Sequence, residues 1–245
     1  MLSGIDIKQV LLFPVKDEEA RRYFLIGCVV SLAGFFIPVI PYLALFGYTA
    51  RIARQVFNGE TPRMIPWDDW GGIIKDGLLM FGVRLVYSLP IILLAVPFML
   101  MGIAMPILVE NVNSSEVESV ISLVALAMTA FTCILLPLVL PLAIIIPAAE
   151  MHAVDKNEFA AGLRIREWWA VFRANLGGFI AAFVIYYIAS IALTLVLQIL
   201  IVTIILACLV PLLMPALTVY LVLVMYTTIA QAYKIGKEKL APAAA

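Results

Sequence analysis

The chain has 245 residues, of which 64% are hydrophobic and 13% charged, with 16 basic and 16 acidic side chains and a mean hydropathy of +1.10. Soluble domains are about half apolar and about a quarter charged, so this composition excludes a soluble class and leaves no room for a separate soluble domain. A formal net charge of zero provides no global field to recruit nucleic acid. Cys28, Cys133 and Cys208 lie far apart inside apolar runs, where a thiol stays protonated, so no metal site, cofactor or disulfide framework is expected from them.

Residues 1–14 predict a short interfacial helix: Ser3 stands three residues before Asp6 in the spacing of a capping box, and Pro14 ends it. Asp17 opens the next helix, with Asp17/Arg21 and Glu18/Arg22 spaced i,i+4 in the favourable order. The uncharged run Tyr23–Ala50 is interrupted by Pro38 and Pro41. Unbroken, it is one kinked span of about 42 Å; broken, its halves are each too short to cross a hydrocarbon core of about 30 Å. Charge favours the broken form, because a single span would carry Lys8, Lys16, Arg21 and Arg22 to the side opposite the other basic segments. A proline-split hairpin over 23–57 is therefore expected.

The following segment reads Gly47-Tyr48, Arg51, Arg54, Asn58-Gly59-Glu60, Pro66-Trp67-Asp68-Asp69-Trp70-Gly71 and Asp76-Gly77, and Glu150 through Asn175-Leu176-Gly177 comes later. In these motifs, most specifically from Gly59-Glu60 to Trp67-Asp68-Asp69-Trp70, the chain resembles the prokaryotic membrane-protein family known as domain of unknown function 4013. The resemblance covers nearly the whole chain and implies an integral membrane domain with no assigned activity. Physically, Trp67 and Trp70 suit an anchor at the headgroup level, where an apolar ring with one N–H donor is well placed, and an Asp beside them can cap the next helix. Glu60, Asp68, Asp69 and Asp76 could instead offer carboxylate oxygens to a cation, but Asp69 and Asp76 lie two helical turns apart.

Apolar stretches, uncharged apart from Arg84 and the terminal Lys234, then predict transmembrane helices over 77–109, 119–149, 175–207 and 212–234. The last two share a run from Ala174 to Tyr233 without one charged side chain, and Pro211 with Pro215 places its turn near Cys208–Pro215. Between them and the preceding spans, Asp155-Lys156-Asn157-Glu158 has capping-box spacing and opens an expected amphipathic interfacial helix over 155–173. Its apolar arc gathers Ala161, Ile165, Trp168, Trp169 and Phe172, with Trp168 and Trp169 as further interface anchors. The fold class expected is all-α: a polytopic transmembrane helix bundle of four full crossings plus the split first hairpin, about six membrane helices, with short cytoplasmic interfacial helices.

Orientation follows from Lys and Arg in short loops. Arg51, Arg54, Arg63 and Lys75, then Lys156, Arg164, Arg166 and Arg173, then Lys234, Lys237 and Lys239 lie on one side; Glu110–Glu118 and the turn near Pro211 hold none. Loops 51–76 and 150–173 and the C-terminus are thus expected in the cytoplasm of a multi-pass cell-membrane protein. Arg84 is a cation flanked on both sides by apolar sequence, which leaves three roles open: its head group reaches back to lipid phosphates, it pairs with an acid such as Glu150, or it contacts an anionic ligand. His152 stands two residues beyond Glu150, a spacing that points the two side chains apart on a helix.

No Gly-rich phosphate loop, nucleophile elbow or Ser, His and Asp set can be assembled with one histidine, so no catalytic residues and no enzyme activity are expected. The expected function is a non-enzymatic module that binds or passes a small molecule or lipid, with Arg84, Glu150, Asp68, Asp69 and Asp76 as candidate ligand-binding residues. The alternative is an accessory or scaffold subunit of a larger membrane complex. Expected partners are the lipid bilayer and either protein subunits or a second copy of the chain.

Overall fold

The computed structural model describes residues 4–109, 115–202 and 208–241, and the regular elements among them are all helical. In chain order they are α1 (Ile7–Leu12, continued by a 3-10 turn Phe13–Val15), α2 (Glu18–Ala33), α3 (Ile40–Phe57), α4 (Trp70–Val109), α5 (Ser115–Lys156), α6 (Phe159–Leu163), α7 (Ile165–Ala174), α8 (Leu176–Val202) and α9 (Val210–Leu240). Ser3, residues 110–114 of the expected outer loop and residues 203–207 lie outside the described residues.

Three helices are long and apolar enough to cross a membrane: α4, α8 and α9. The count becomes four when the bent pair Ile121–Pro137 and Val139–Lys156 within α5 is taken as one span. That is fewer than the expected total of about six membrane helices, and the two counts part at the first hairpin. Its halves separate as foreseen, but α2 has 16 residues and α3 has 18 and carries Arg51 and Arg54, so neither is both long and apolar enough to span. Between them Val39 adopts a positive φ of 76°, and the Ile40 amide donates to the Pro38 carbonyl at 3.0 Å, closing a γ-turn. The hairpin tip leaves Phe35, Phe36 and Ile37 exposed.

The chain divides into two compact units. The first comprises Met1–Arg84 and Pro147–Ala245, the second Leu85–Ile146. In the first, α9 is the central post, packed against α1, α2, α3, α7 and α8. Its core gathers Tyr48, Ile52, Trp67, Ile73, Val219 and Leu223, and α3 meets the start of α4 without side chains between them at Gly47 and Gly77. Asp6 caps α1 by accepting from the Gln9 amide at 3.1 Å. That short helix is tied to α9 through Asp6 N to Gln231 Oε1 and Tyr220 Oη to the Leu11 carbonyl, so protein as well as any membrane surface holds it.

Two further boundaries differ from expectation. The segment 155–173 is not one helix: α5 runs on to Lys156, Asn157 takes a positive φ of 51°, and α6 and α7 meet at Arg164. Asp155 caps nothing, because it stands inside the last turn of α5 and the Glu158 amide donates to the Ala153 carbonyl at 3.1 Å; its carboxylate instead accepts from Lys237 on both oxygens at 2.8 Å. The prolines expected to turn the chain near Cys208–Pro215 lie within α9, Pro211 in its first turn, where no N–H is needed, and Pro215 farther along. In the second unit the rings of Phe98 and Phe131 stack at 3.5 Å beside an apolar crevice of about 310 Å³ lined by residues that include Met99, Met128 and Leu135.

Candidate functional site

Two polar assemblies stand out inside the first unit, and each is built from residues of helices far apart in sequence. The first is centred on Asp76, one turn and a half into α4. Arg54 on α3 donates to its Oδ1 at 2.7 Å and Arg51 to its Oδ2 at 3.1 Å. Three residues apart on α3, the two guanidiniums share one face, and a single carboxylate between them offsets their repulsion. Arg51 also reaches Asp69, and Arg54 bonds Asn157 Oδ1 at 3.0 Å just past the end of α5. Asp69 is the residue that caps α4, accepting from the Gly72 amide at 3.0 Å. The Arg51 hydrogen bond, followed by that of Gly72, holds its carboxyl below the usual aspartate range. Asp68 accepts from the Asp69 amide alongside.

Arg51 thus bridges the two turns that separate Asp69 from Asp76, and these two of the four carboxylates considered for a cation site are matched by arginines. Around this cluster lies a cavity of about 500 Å³, lined by Arg51, Arg54, Lys75, Asp76, Asp155 and Asn157 together with Phe57, Asn58, Gly72 and Val154.

The second assembly joins α4, α5 and α9. Arg84 donates from Nε to Glu150 Oε1 at 2.7 Å and from Nη2 to Oε2 at 3.2 Å, the two-pronged geometry of a guanidinium on a carboxylate. The Tyr226 hydroxyl closes a triangle, 2.6 Å from Arg84 Nη2 and 2.7 Å from Glu150 Oε2, and the Phe46 ring lies 5.2 Å from the guanidinium carbon. Glu150 is 0% exposed. Of the three roles left open for Arg84, the geometry realises the acid pair. His152 faces elsewhere, as its spacing from Glu150 requires: Nδ1 lies 2.7 Å from the Tyr233 hydroxyl and Nε2 3.2 Å from Glu167 Oε2. The imidazole, followed by Arg164, holds the Glu167 carboxyl below the usual range. An ionised Glu167 only accepts, which assigns the hydrogen to Nε2 and leaves Nδ1 to accept from Tyr233 when the ring is neutral.

The tryptophans divide. Trp67 is turned inward, against the expectation of an interface anchor: it stacks on Tyr48 at 4.1 Å, and its Nε1 donates to the Tyr23 carbonyl at 3.0 Å. Trp168 is likewise buried, whereas Trp70 and Trp169 are exposed. An indole that finds both a ring to stack on and a backbone acceptor inside the protein gains more there than at a wet surface.

The sequence profile of a family described as proteins of unknown function (DUF4013) matches residues 30–202. The chain belongs to this family. Neither a curated protein nor a solved structure matches it. The DUF4013 match takes in every residue that lines the 500 Å³ cavity, and it includes Arg84 and Glu150 but ends before α9. Tyr226, Tyr233 and Lys237 therefore complete the DUF4013 region from outside it. They are also the partners that sequence reasoning did not name. A signal was present, since the hydroxyls of Tyr226, Thr227, Thr228 and Tyr233 crowd one end of an otherwise apolar run, but nothing in one sequence says which acids they meet.

Proposed function

We propose that this chain is a non-catalytic membrane module that binds a small molecule or lipid in the cavity between the end of α3, the start of α4 and the end of α5. The observation that carries this reading is the cavity itself: about 500 Å³ is within the range of small-ligand sites, and its wall holds two arginines fixed by a shared aspartate. Asp69, Asp76 and, more remotely, Arg84 with Glu150 are positioning residues on this reading; Asp68 stands one step outside. Native mass spectrometry of the detergent-solubilised protein should retain a small molecule or lipid at a fixed stoichiometry. Loss of all such adducts with retention of other protein subunits would instead support the accessory-subunit reading, which the exposed apolar faces of Leu93, Met99, Leu100 and Ile103 on α4 favour.

The same proposal places the cavity on the cytoplasmic side of a cell membrane. Positive charge in loops 51–76 and 150–173 and in the tail supports this, and so do the contacts Arg54–Asn157 and Lys237–Asp155, which bring the three segments together. The exposed apolar tip Phe35–Ile37 suits a hairpin that dips into the bilayer from that side without crossing it. In a chain freed of its native cysteines, an impermeant maleimide applied to intact cells should label Asn113→Cys and leave Asn58→Cys unmodified until the cells are opened. Labelling of position 58 from outside would invert the orientation.

A further inference from the structure

We propose that the ligand of the 500 Å³ cavity is an anion, and specifically a phosphate group, held by Arg51, Arg54 and Lys75. This rests on the reading of the cavity as a binding site and names the chemistry it selects.

The argument is one of donors and acceptors. Every carboxylate oxygen in the wall already has a partner: Asp76 Oδ1 takes Arg54, Asp76 Oδ2 takes Arg51, and both oxygens of Asp155 take Lys237. The side-chain oxygen of Asn157 takes Arg54 as well. The donors are not used up. A guanidinium has five N–H groups and no acceptor. Arg51 commits Nε and Nη2, and Arg54 commits Nη2, so the Nη1 amino group of each has no acceptor among the described residues. Lys75 lines the same cavity, is exposed, and makes no ion pair among the described residues. The charged acceptors of the wall are thus engaged while guanidinium and ammonium donors remain, so the wall suits a ligand that brings anionic oxygens of its own.

Charge agrees with this count. The lining holds three cations and two carboxylates; just outside it Lys237 pairs with Asp155 and Asp69 with Arg51, so one positive charge remains in excess either way. The aspartates orient the arginines as well as offset them. Asp76 fixes both guanidinium planes from behind, which lowers the side-chain ordering that an incoming phosphate would otherwise require. The half-buried Phe57 ring adds an apolar edge on which the carbon part of a phosphoester can lie. The shared chemistry, a phosphate oxyanion, can come from a lipid headgroup or from a free phosphate.

The test uses the full-length chain, delipidated in detergent, with three probes: phosphatidylglycerol, diacylglycerol with the same acyl chains but no phosphate, and inorganic phosphate. Binding is read by native mass spectrometry and by the shift in melting temperature. Phosphatidylglycerol should bind and raise the melting temperature, diacylglycerol should do so at least tenfold less well, and Lys75→Glu should weaken the phosphatidylglycerol effect about tenfold, read as the shift from that variant's own unliganded melting temperature. Lys75→Gln should fall between the two. Inorganic phosphate that reproduces the stabilisation with the same Lys75 dependence assigns the site to a free phosphate; phosphatidylglycerol binding without it assigns the site to a lipid headgroup. Equal binding of both lipids, weakened equally by Asn58→Trp in the cavity wall, would overturn the anion inference and leave the cavity as a binding site. Phosphatidylglycerol binding that is indifferent to Lys75→Glu and to Asn58→Trp would overturn both.

Discussion

Arg84→Leu is expected to destabilise the chain by about 3–5 kcal/mol, the cost typical of removing one partner from a buried ion pair. The reason is what remains. Glu150 is fully buried, and without the guanidinium its carboxylate keeps one donor, the Tyr226 hydroxyl at 2.7 Å. Arg84→Lys keeps the charge but replaces a planar fork on two oxygens with a single ammonium, so it should lie between the wild type and Arg84→Leu. The double substitution Arg84→Leu with Glu150→Leu removes the stranded charge along with its partner and should recover most of the loss, because hydrophobic replacement of a whole buried pair is often neutral or better. Melting temperature in detergent measures all four proteins. A side chain that merely reached for lipid phosphates would tolerate lysine fully and show no rescue by the second change. A wild-type melting temperature for Arg84→Leu would show that the triangle with Glu150 and Tyr226 contributes nothing to the fold.

Much of the helical plan was legible because charge and hydropathy act locally. The run from Ala174 to Tyr233 had to fold back on itself, and the described part of α8, Leu176–Val202, packs along α9, which begins at Val210. The break between α2 and α3 followed from Pro38 and Pro41 with charge asymmetry. What could not be read was the pairing of one helix with another. Gly47, Tyr48, Arg51 and Arg54 on α3 were visible as a motif, as were Trp67, Asp69, Asp76 and Gly77 farther on. That they are two halves of one interface, Gly47 against Gly77, Tyr48 against Trp67 and the arginines against Asp76, is a tertiary fact with no periodicity of its own. For the same reason Trp67 was read as an anchor: an indole near a helix start has identical local signals whether its ring faces headgroups or a neighbouring tyrosine. Asp155 shows the converse error. Its spacing from Glu158 suits a cap, but α5 continues through it to Lys156, and the Glu158 amide is taken by the Ala153 carbonyl.

The close approach of α3 and α4 leads to the second large effect. Gly47→Ala and Gly77→Ala should each cost about 3 kcal/mol or more, at or above the upper part of the range for overpacking, and Gly47→Val should abolish folded yield. A Cβ on Gly47 would overlap the Ile73 carbonyl, and one on Gly77 would overlap the Leu43 carbonyl. These neighbours are backbone atoms in the middle of helices and cannot rotate aside as a side-chain end could, so the two helices would have to separate. Separation would propagate, because Tyr48 and Arg51, one and four residues beyond Gly47, make their contacts with Trp67, Asp69 and Asp76 across the same gap. Glycines elsewhere supply the control. Gly71 and Gly177 have nothing within 4 Å of an added Cβ, so Gly71→Ala and Gly177→Ala should change stability by about 0.5 kcal/mol or less, or raise it slightly through the better helix propensity of alanine. Melting temperature and monodisperse yield of the four alanine variants separate the outcomes. Gly47→Ala and Gly77→Ala that melt with the two controls would mean that the helices do not meet backbone to backbone, and the shared carboxylate of Asp76 would then lack the short α3 to α4 distance that lets Arg51 and Arg54 reach it together.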